Sequence, residues 1–126
     1  MSCKSRFGVD NYNGMVFDKE TNLIWQRHIS EDRLTLAEAK LYAARLRLGG
    51  FSDWRVPTRP ELESIVDLAR HHPSIDTEVF PDTPNDWFWS VSPYAYDSSY
   101  AWVVDFLDGS SSYNDVSDNY RVRCVR

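Results

Sequence analysis

The amino-acid sequence predicts an α+β fold, and three observations lead to that prediction. Two short apolar segments flank a polar turn near the start of the chain, which is typical of a β-hairpin. Two T-x-x-E motifs then begin stretches of helical apolar periodicity. From Trp87 onward the apolar period becomes two, which indicates strands. The chain has 126 residues and is 42% hydrophobic, so we predict a single domain over residues 1–126.

The N-terminal hairpin is predicted over residues 14–27. Residues 15–17 and 23–25 form its strands, and the turn chemistry lies in the DKETN stretch between them. A polar connector, residues 28–34, leads from the hairpin to the first helix.

Two α-helices are predicted, and each begins with a capping box that satisfies two backbone donors at the helix start. The boxes pair Thr35 with Glu38 and Thr58 with Glu61. The apolar residues that follow at helical spacing are Leu36, Ala39, Ala43 and Leu46 in the first helix, and Leu62, Ile65, Val66 and Ala69 in the second. We expect Gly49-Gly50 to end the first helix and His71-His72-Pro73 to end the second.

The last third of the chain predicts an antiparallel sheet with long polar loops. Strands are expected at residues 88–91, 101–107 and 120–125, with a turn at Asp108-Gly109. In the middle strand we expect one set of alternating side chains to face the core (Trp102, Val104 and Phe106) and the other to face outward (Val103, Asp105 and Leu107). The last strand is expected to bury Val122 and Cys124.

The net charge of -5 is unevenly distributed along the chain. Between Arg70 and Arg121 there is no Lys or Arg, whereas nine carboxylates lie there. Because polyanion binding depends on basic groups that displace counterions, this segment argues against a nucleic-acid partner. The alternative interpretation of the segment is a solvated acidic face. No apolar stretch approaches the roughly 18 residues that a membrane helix needs, so membrane insertion is not expected.

Two cysteines, Cys3 and Cys124, stand near opposite ends of the chain. They lack C-x-x-C spacing and are too few for a structural zinc site. A Cys3–Cys124 disulfide is the favoured interpretation and would indicate an oxidising compartment; two separate buried thiols are the alternative. No signal peptide precedes Phe7, so an exported parent protein and a cytoplasmic location both stay open.

The region from Ser90 to Tyr120 is the strongest candidate for function. Ser, Tyr, Asp and Asn dominate it, as they dominate antibody combining loops, where Tyr supplies rigid contact area and short polar side chains supply adaptable hydrogen bonds. The alternative is that these residues only build turns and edges. The predicted ligand-binding residues are Tyr94, Tyr96, Tyr100, Asp105, Asp108, Tyr113, Asn114, Asp118, Asn119 and Tyr120.

Catalytic and metal signals are weak by comparison, and neither a catalytic nor a metal-binding residue is predicted. Asp67 and His71 are four residues apart and could meet on one helical turn, but no third ligand is evident. Calcium is the more plausible metal, because Asp and Asn oxygens cluster at Asp108, Asn114, Asp115, Asp118 and Asn119, but the ordered spacing of a calcium loop is missing. No cofactor is expected.

Several segments together resemble the Lcl C-terminal domain family, which is named for a Legionella collagen-like adhesin. They are residues 18–25, residues 50–58 with 61–64, residues 75–76 with 79–81, and residues 101–106 with 121–126. The stretch around W-R-V-P-T also resembles formylglycine-generating-enzyme-like and C-type-lectin-like folds. The resemblance implies a compact C-type-lectin-like domain of an exported, cell-surface or virion protein that binds ligands and does not transform them.

The named adhesin binds sulfated glycosaminoglycans and forms trimers, so a homotrimer is a weak expectation here. The acidic segment argues against a sulfated ligand on that face, although Arg45, Arg47, Arg55 and Arg59 could form a basic patch elsewhere. Some relatives of this fold are diversified by retroelements that rewrite adenines, a process that yields Asn, Tyr, Asp and Ser. The composition of residues 94–120 is compatible with such diversification.

Three hypotheses follow. In the favoured one, the chain is a non-enzymatic recognition domain for a glycan or protein ligand. In the second, it is a structural or trimerising module of a surface or phage protein. In the third, it is a metal-assisted enzyme that uses His71 or His72.

Overall fold

A computed structural model describes residues 6–126, and it shows an α+β architecture with two antiparallel three-stranded sheets, two α-helices and a short 3-10 helix at Leu48–Gly50. The first sheet has the order β1–β2–β3, and the second has the order β4–β5–β6. The elements in chain order are β1 (Phe7–Asp10), β2 (Met15–Asp18), β3 (Leu23–Gln26), α1 (Leu36–Arg45), α2 (Arg59–Glu63), β4 (Trp87–Pro93), β5 (Tyr100–Asp105) and β6 (Ser111–Asp115). No helix within residues 6–126 is long and apolar enough to span a bilayer.

The predicted hairpin is confirmed as β2 and β3, which pair from Met15 opposite Gln26 to Asp18 opposite Leu23. The structure adds β1, which pairs with β2 along its whole length. The side chain of Asp18 is fully buried, and its carboxylate receives two hydrogen bonds from Arg6, at 2.9 and 2.7 Å. Burial alone would raise the pKa of Asp18, but these bonds from Arg6 and the one from the Glu20 backbone N–H lower it.

Both predicted capping boxes are present, at Thr35 with Glu38 and at Thr58 with Glu61. In α1 the predicted positions Leu36, Ala39 and Ala43 are buried, as expected for an amphipathic helix. The fourth predicted position, Leu46, is partly buried and follows the helix, which ends at Arg45 and not at Gly49-Gly50. In contrast, α2 is only five residues long, so its predicted extension to Ala69 is wrong. The chain leaves the helix after Ser64, and the Asp67 backbone N–H donates to the Ser74 carbonyl instead of continuing the helical ladder.

The second sheet is covered by apolar side chains on both faces. Val104 and Phe106 join one core cluster with Leu62 and Ile65, while Val103 joins a second cluster that includes α1 residues. Because both faces of β5 are covered, the expected division into inward and outward residues is wrong. Val103 and Asp105 are buried, whereas Trp102, expected in the core, is only partly buried. The other expected core positions, Val104 and Phe106, are confirmed.

The predicted last strand is wrong as a regular strand, although Val122 and Cys124 are buried as expected. Residues 120–126 are extended but pair singly with several elements, through bridges to Leu34, Phe88, Trp25 and Arg55. A strand that was not predicted, β6, takes the edge of the second sheet beside β5. The sequence SSYND therefore forms a strand and not the predicted polar loop.

The C-terminal segment also carries a buried polar network around Arg123. Its guanidinium donates to the carbonyl oxygens of Gln26 and Arg27 at 2.7 and 2.6 Å, and to Thr83 Oγ1 at 2.9 Å. It also lies 4.8 Å from the centre of the Phe80 ring. Burial lowers the pKa of Arg123 to about 9, so the group still carries its charge at neutral pH. These contacts join the end of the chain to β3 and to residues 80–83.

A candidate aromatic binding surface

The connection between β4 and β5 brings the first three predicted tyrosines together. The Tyr94 N–H donates to the Tyr100 carbonyl at 3.0 Å, and the Tyr100 N–H donates to the Asp97 carbonyl at 3.1 Å. Asp97 Oδ1 accepts from the backbone N–H and the hydroxyl of Ser99, at 2.9 and 2.6 Å. This local network folds residues 94–100 into a tight turn whose tyrosines point to a common region.

The register of β5 and β6 adds two further rings. Tyr113 lies directly opposite Trp102, and their ring centres are 5.6 Å apart. Tyr94 stacks on Tyr113 with ring centres 3.8 Å apart and an angle of 16° between the planes. Tyr94 also contacts Tyr96 at 5.5 Å, Tyr100 at 6.5 Å and Trp102 at 5.8 Å. We refer to these five residues, Tyr94, Tyr96, Tyr100, Trp102 and Tyr113, as the aromatic surface.

The aromatic surface is accessible to solvent. The exposed fraction is 87% for Tyr96 and 43% for Tyr113, while Tyr94, Tyr100 and Trp102 are partly buried. The hydrogen bond between the Tyr94 and Tyr113 hydroxyls raises the pKa of Tyr94, so this ring stays neutral at physiological pH. Exposed, clustered aromatic rings are the feature most typical of binding hot spots.

One edge of the aromatic surface is formed by α2. The guanidinium of Arg59 lies 3.8 Å from the centre of the Trp102 ring, and its Nε donates to Glu63 Oε2 at 3.1 Å. The same carboxylate oxygen accepts from the Ser111 hydroxyl at 2.6 Å. At the start of α2, the Arg59 backbone N–H donates to Ser92 Oγ at 2.9 Å. The capping box at Thr58 therefore fixes the start of a short helix that places Arg59 over Trp102.

The opposite edge carries two carboxylates. Asp115 lies opposite Tyr100 in the β5–β6 pair, and Asp97 lies in the preceding turn. Hydrogen bonds from Ser99 lower the pKa of Asp97, and hydrogen bonds from Ser117 lower that of Asp115. The Val116 backbone N–H donates to the Ser99 carbonyl at 2.9 Å, so the turn that carries Asp97 lies beside the end of β6. The charge of Asp97 partly offsets the lowering of the Asp115 pKa. Both carboxylates are ionised at neutral pH.

The remaining predicted site residues lie elsewhere. Asp105 is buried and accepts from the Leu107 N–H, and Asp108 caps the β5–β6 turn at the far end of the sheet. Asn114 is next to Tyr113 in β6, so its side chain faces the other side of the strand. Asp118 and Asn119 are exposed in the turn after β6. Tyr120 is partly buried, and its ring lies 5.1 Å from that of Trp89.

Two members of this region were missed by sequence reasoning. Trp102 was expected in the core because it shares one face of the strand with Val104 and Phe106, and Arg59 was considered only for a basic patch. Trp102 could have been identified by pairing β5 with a strand that contains tyrosine, because that pairing places an aromatic ring opposite Trp102. Arg55, another arginine considered for that patch, donates two hydrogen bonds to the Glu61 carboxylate, each at 2.7 Å.

The metal site considered at Asp67 and His71 does not assemble within the described part of the chain. Asp67 pairs with Arg70 at 3.1 Å, and the helical turn on which it was to meet His71 is absent. His71 and His72 are exposed beside an open depression of about 380 Å³. Across residues 6–126, no group of three His, Cys, Asp or Glu side chains is arranged to hold a metal ion.

The disulfide prediction involves Cys3, which lies outside the described residues, so the pairing stays a prediction. Cys124 is fully buried, and its burial raises the pKa of the thiol to about 12. A thiol in this environment is protonated and unreactive at neutral pH.

A family model for the Lcl C-terminal domain matches residues 14–126. The chain belongs to the Lcl C-terminal domain family. This match confirms the resemblance seen in the sequence, and it covers every element except β1. No curated protein matches the chain. The Lcl C-terminal domain is an adhesin-associated family and not a known enzyme family, which indicates an adhesin-related domain of a surface or exported protein.

Proposed function

We propose that this domain is a non-enzymatic recognition module that binds its ligand through the aromatic surface. The observation that carries the proposal is that four tyrosines and Trp102 contact one another and yet remain accessible to solvent. Large rigid rings lose little conformational entropy on binding, so a preassembled cluster of them is well suited to recognition. The adhesin-associated family supports the same function.

The surface is held in place before any ligand arrives. Tyr94 and Tyr113 stack on each other, and the strand pairing of β5 with β6 holds Tyr113 opposite Trp102. The turn at residues 94–100 is closed by its own hydrogen bonds. Because these side chains are already ordered, little of the free energy of ligand contact is lost to conformational entropy on binding.

Alanine substitution tests the proposal. In Tyr94→Ala/Tyr113→Ala, we expect affinity for a ligand identified on glycan and protein arrays to fall by at least about 30-fold, as truncation of a hot spot costs about 2 kcal/mol or more. The arrays are run with and without calcium. Tyr12→Ala is the matched control, because Tyr12 is 96% exposed in the turn between β1 and β2.

Unchanged ligand binding by a folded Tyr94→Ala/Tyr113→Ala variant would show that the binding surface lies elsewhere. Light scattering on the same variant tests the second function, assembly. Loss of an oligomer in the variant, without loss of a ligand, would assign the aromatic surface to a contact between copies, such as a trimer.

We propose a C-type-lectin-like scaffold, supported by the α+β architecture and by the location of the candidate surface near the C-terminal end. We also propose retroelement diversification of the Ser, Tyr, Asp and Asn positions between residues 94 and 120, supported by their abundance beside the buried Val103, Val104 and Phe106. A genomic neighbourhood without a near-identical repeat that differs only at adenines would refute diversification.

A further inference from the structure

We propose that the ligand of the aromatic surface is a positively charged segment of a partner protein. An Arg or Lys side chain of that segment lies against the tyrosine rings and pairs with Asp97 and Asp115. This inference rests on the proposed function and names the chemical class of its ligand.

The charge of the aromatic surface favours a cationic ligand. Asp97 and Asp115 lie at one edge and Glu63 lies at the other, against the single cation Arg59 in that set. The Arg59 charge is already engaged, since its Nε donates to Glu63. Residues 71–120, which supply β4, β5, β6 and the turns between them, contain no Lys or Arg. The aromatic surface therefore presents a net negative charge.

The aromatic surface already holds the guanidinium of Arg59. Arg59 lies 3.8 Å from the centre of the Trp102 ring, within the distance at which a cation is attracted to the face of an aromatic ring. The neighbouring rings of Tyr96 and Tyr113 are exposed and electron-rich in the same way. The contact of Arg59 with the Trp102 ring is therefore the same kind of contact that a ligand arginine would make with the Tyr96 or Tyr113 ring.

Anionic chains and neutral glycans match the charges of the aromatic surface less well than a basic protein segment does. A sulfated or phosphorylated chain would be repelled by Asp97 and Asp115, and like-charge contacts of this kind exclude wrong partners. A neutral glycan would stack on the tyrosines but would leave both carboxylates without a charged partner. A basic protein segment satisfies the rings and the carboxylates together.

Peptide titration followed by amide and indole NMR shifts tests this proposal. The probes are Gly-Arg-Gly-Arg-Gly, its lysine counterpart, and a citrulline counterpart that keeps the shape of arginine without its charge. We expect shifts at Tyr94, Tyr100, Trp102 and Tyr113, and affinity at least about fivefold weaker for the citrulline peptide. Added salt should weaken binding of the arginine peptide.

Two double variants with the same change in net charge sharpen the test. Asp97→Asn/Asp115→Asn keeps the acceptor oxygens of the two turns and removes both charges, and it should weaken arginine-peptide binding by about fivefold or more. Asp32→Asn/Asp82→Asn changes two exposed carboxylates outside the aromatic surface and should leave binding unchanged.

Equal binding of the arginine and citrulline peptides, or equal behaviour of the two double variants, would overturn the proposal. The array experiment separates this failure from failure of the proposed function. If a glycan binds, and Tyr94→Ala/Tyr113→Ala abolishes its binding while Asp97→Asn/Asp115→Asn does not, the aromatic surface is the binding site but its ligand is not cationic.

Discussion

Among the guanidinium groups that lie close to aromatic rings in this domain, those of Arg123 and Arg59 differ mainly in their surroundings. Arg123 lies 4.8 Å from the Phe80 ring and is almost fully buried, with backbone carbonyls and a threonine hydroxyl accepting its hydrogen bonds. Arg59 lies 3.8 Å from the Trp102 ring at the surface. The buried contact fastens the C-terminal segment to the first sheet, whereas the exposed one forms an edge of the aromatic surface.

The comparison shows that the contact itself does not decide its role. A buried donor that is removed leaves its acceptors without partners or water, so the surrounding structure depends on it. At the surface, water replaces lost hydrogen bonds, and the contact contributes little to folding. A cation beside a ring is therefore structural where solvent is excluded and available for recognition where solvent has access.

The largest expected effect tests the buried half of the comparison. Arg123→Met should lower the free energy of unfolding by at least about 3 kcal/mol, because the carbonyls of Gln26 and Arg27 and the Thr83 hydroxyl lose their donor, at about 1–3 kcal/mol for each orphaned buried group. Urea denaturation measures the change. A loss below about 1 kcal/mol would mean that burial does not make this contact structural.

A smaller effect should appear at the neighbouring thiol under alkaline conditions. The pKa of Cys124 is raised by burial from its ordinary 9.0 to about 12, so its contribution to stability is complete below pH 9 and is lost as the pH rises toward 12. In a Cys3→Ser background, we expect stability to fall by about 1 kcal/mol between pH 8 and pH 10 through this group. The Cys3→Ser/Cys124→Ala variant should lack this pH-dependent loss of stability. Identical profiles of unfolding free energy against pH for the two proteins would contradict the prediction.

The smallest effect is expected at the exposed contact. Arg59→Met removes the ion pair with Glu63 and the charge over Trp102, and it should lower the free energy of unfolding by less than about 1 kcal/mol. The same urea denaturation applies, with Arg123→Met as the matched comparison. Similar losses in the two variants would remove the distinction between the buried and exposed guanidinium groups.

Some of the fold was predictable because the signals are local. Each capping box is decided within four residues, and both are present at Thr35 and Thr58. The hairpin turn at residues 18–22 carries its own turn chemistry, and Asn22 adopts a positive φ of 61° there. The length of α2 was not predictable in this way, because a helix continues past its first turn only where packing supports it.

Part of the candidate site was also predictable. The abundance of tyrosine brought Tyr94, Tyr96, Tyr100 and Tyr113 into one hypothesis, and the structure groups these four. The same composition joined Asp105 and Asp108 to them, and the structure places these two at the other end of β5, because composition does not distinguish the two ends of a strand. Arg59 and Trp102 were missed because 43 residues separate them in sequence and only the packing of α2 on the second sheet brings them together.

The sequence by itself determined the α+β class, the family, the helix starts and the charge of the C-terminal third, since each follows from composition or from neighbours within a few residues. Only the tertiary structure decided that SSYND pairs as β6, that Val103 is buried beside Val104, and that Trp102 is left accessible under Arg59. A strand presents side chains to two faces, and what covers each face depends on segments that are distant in the chain.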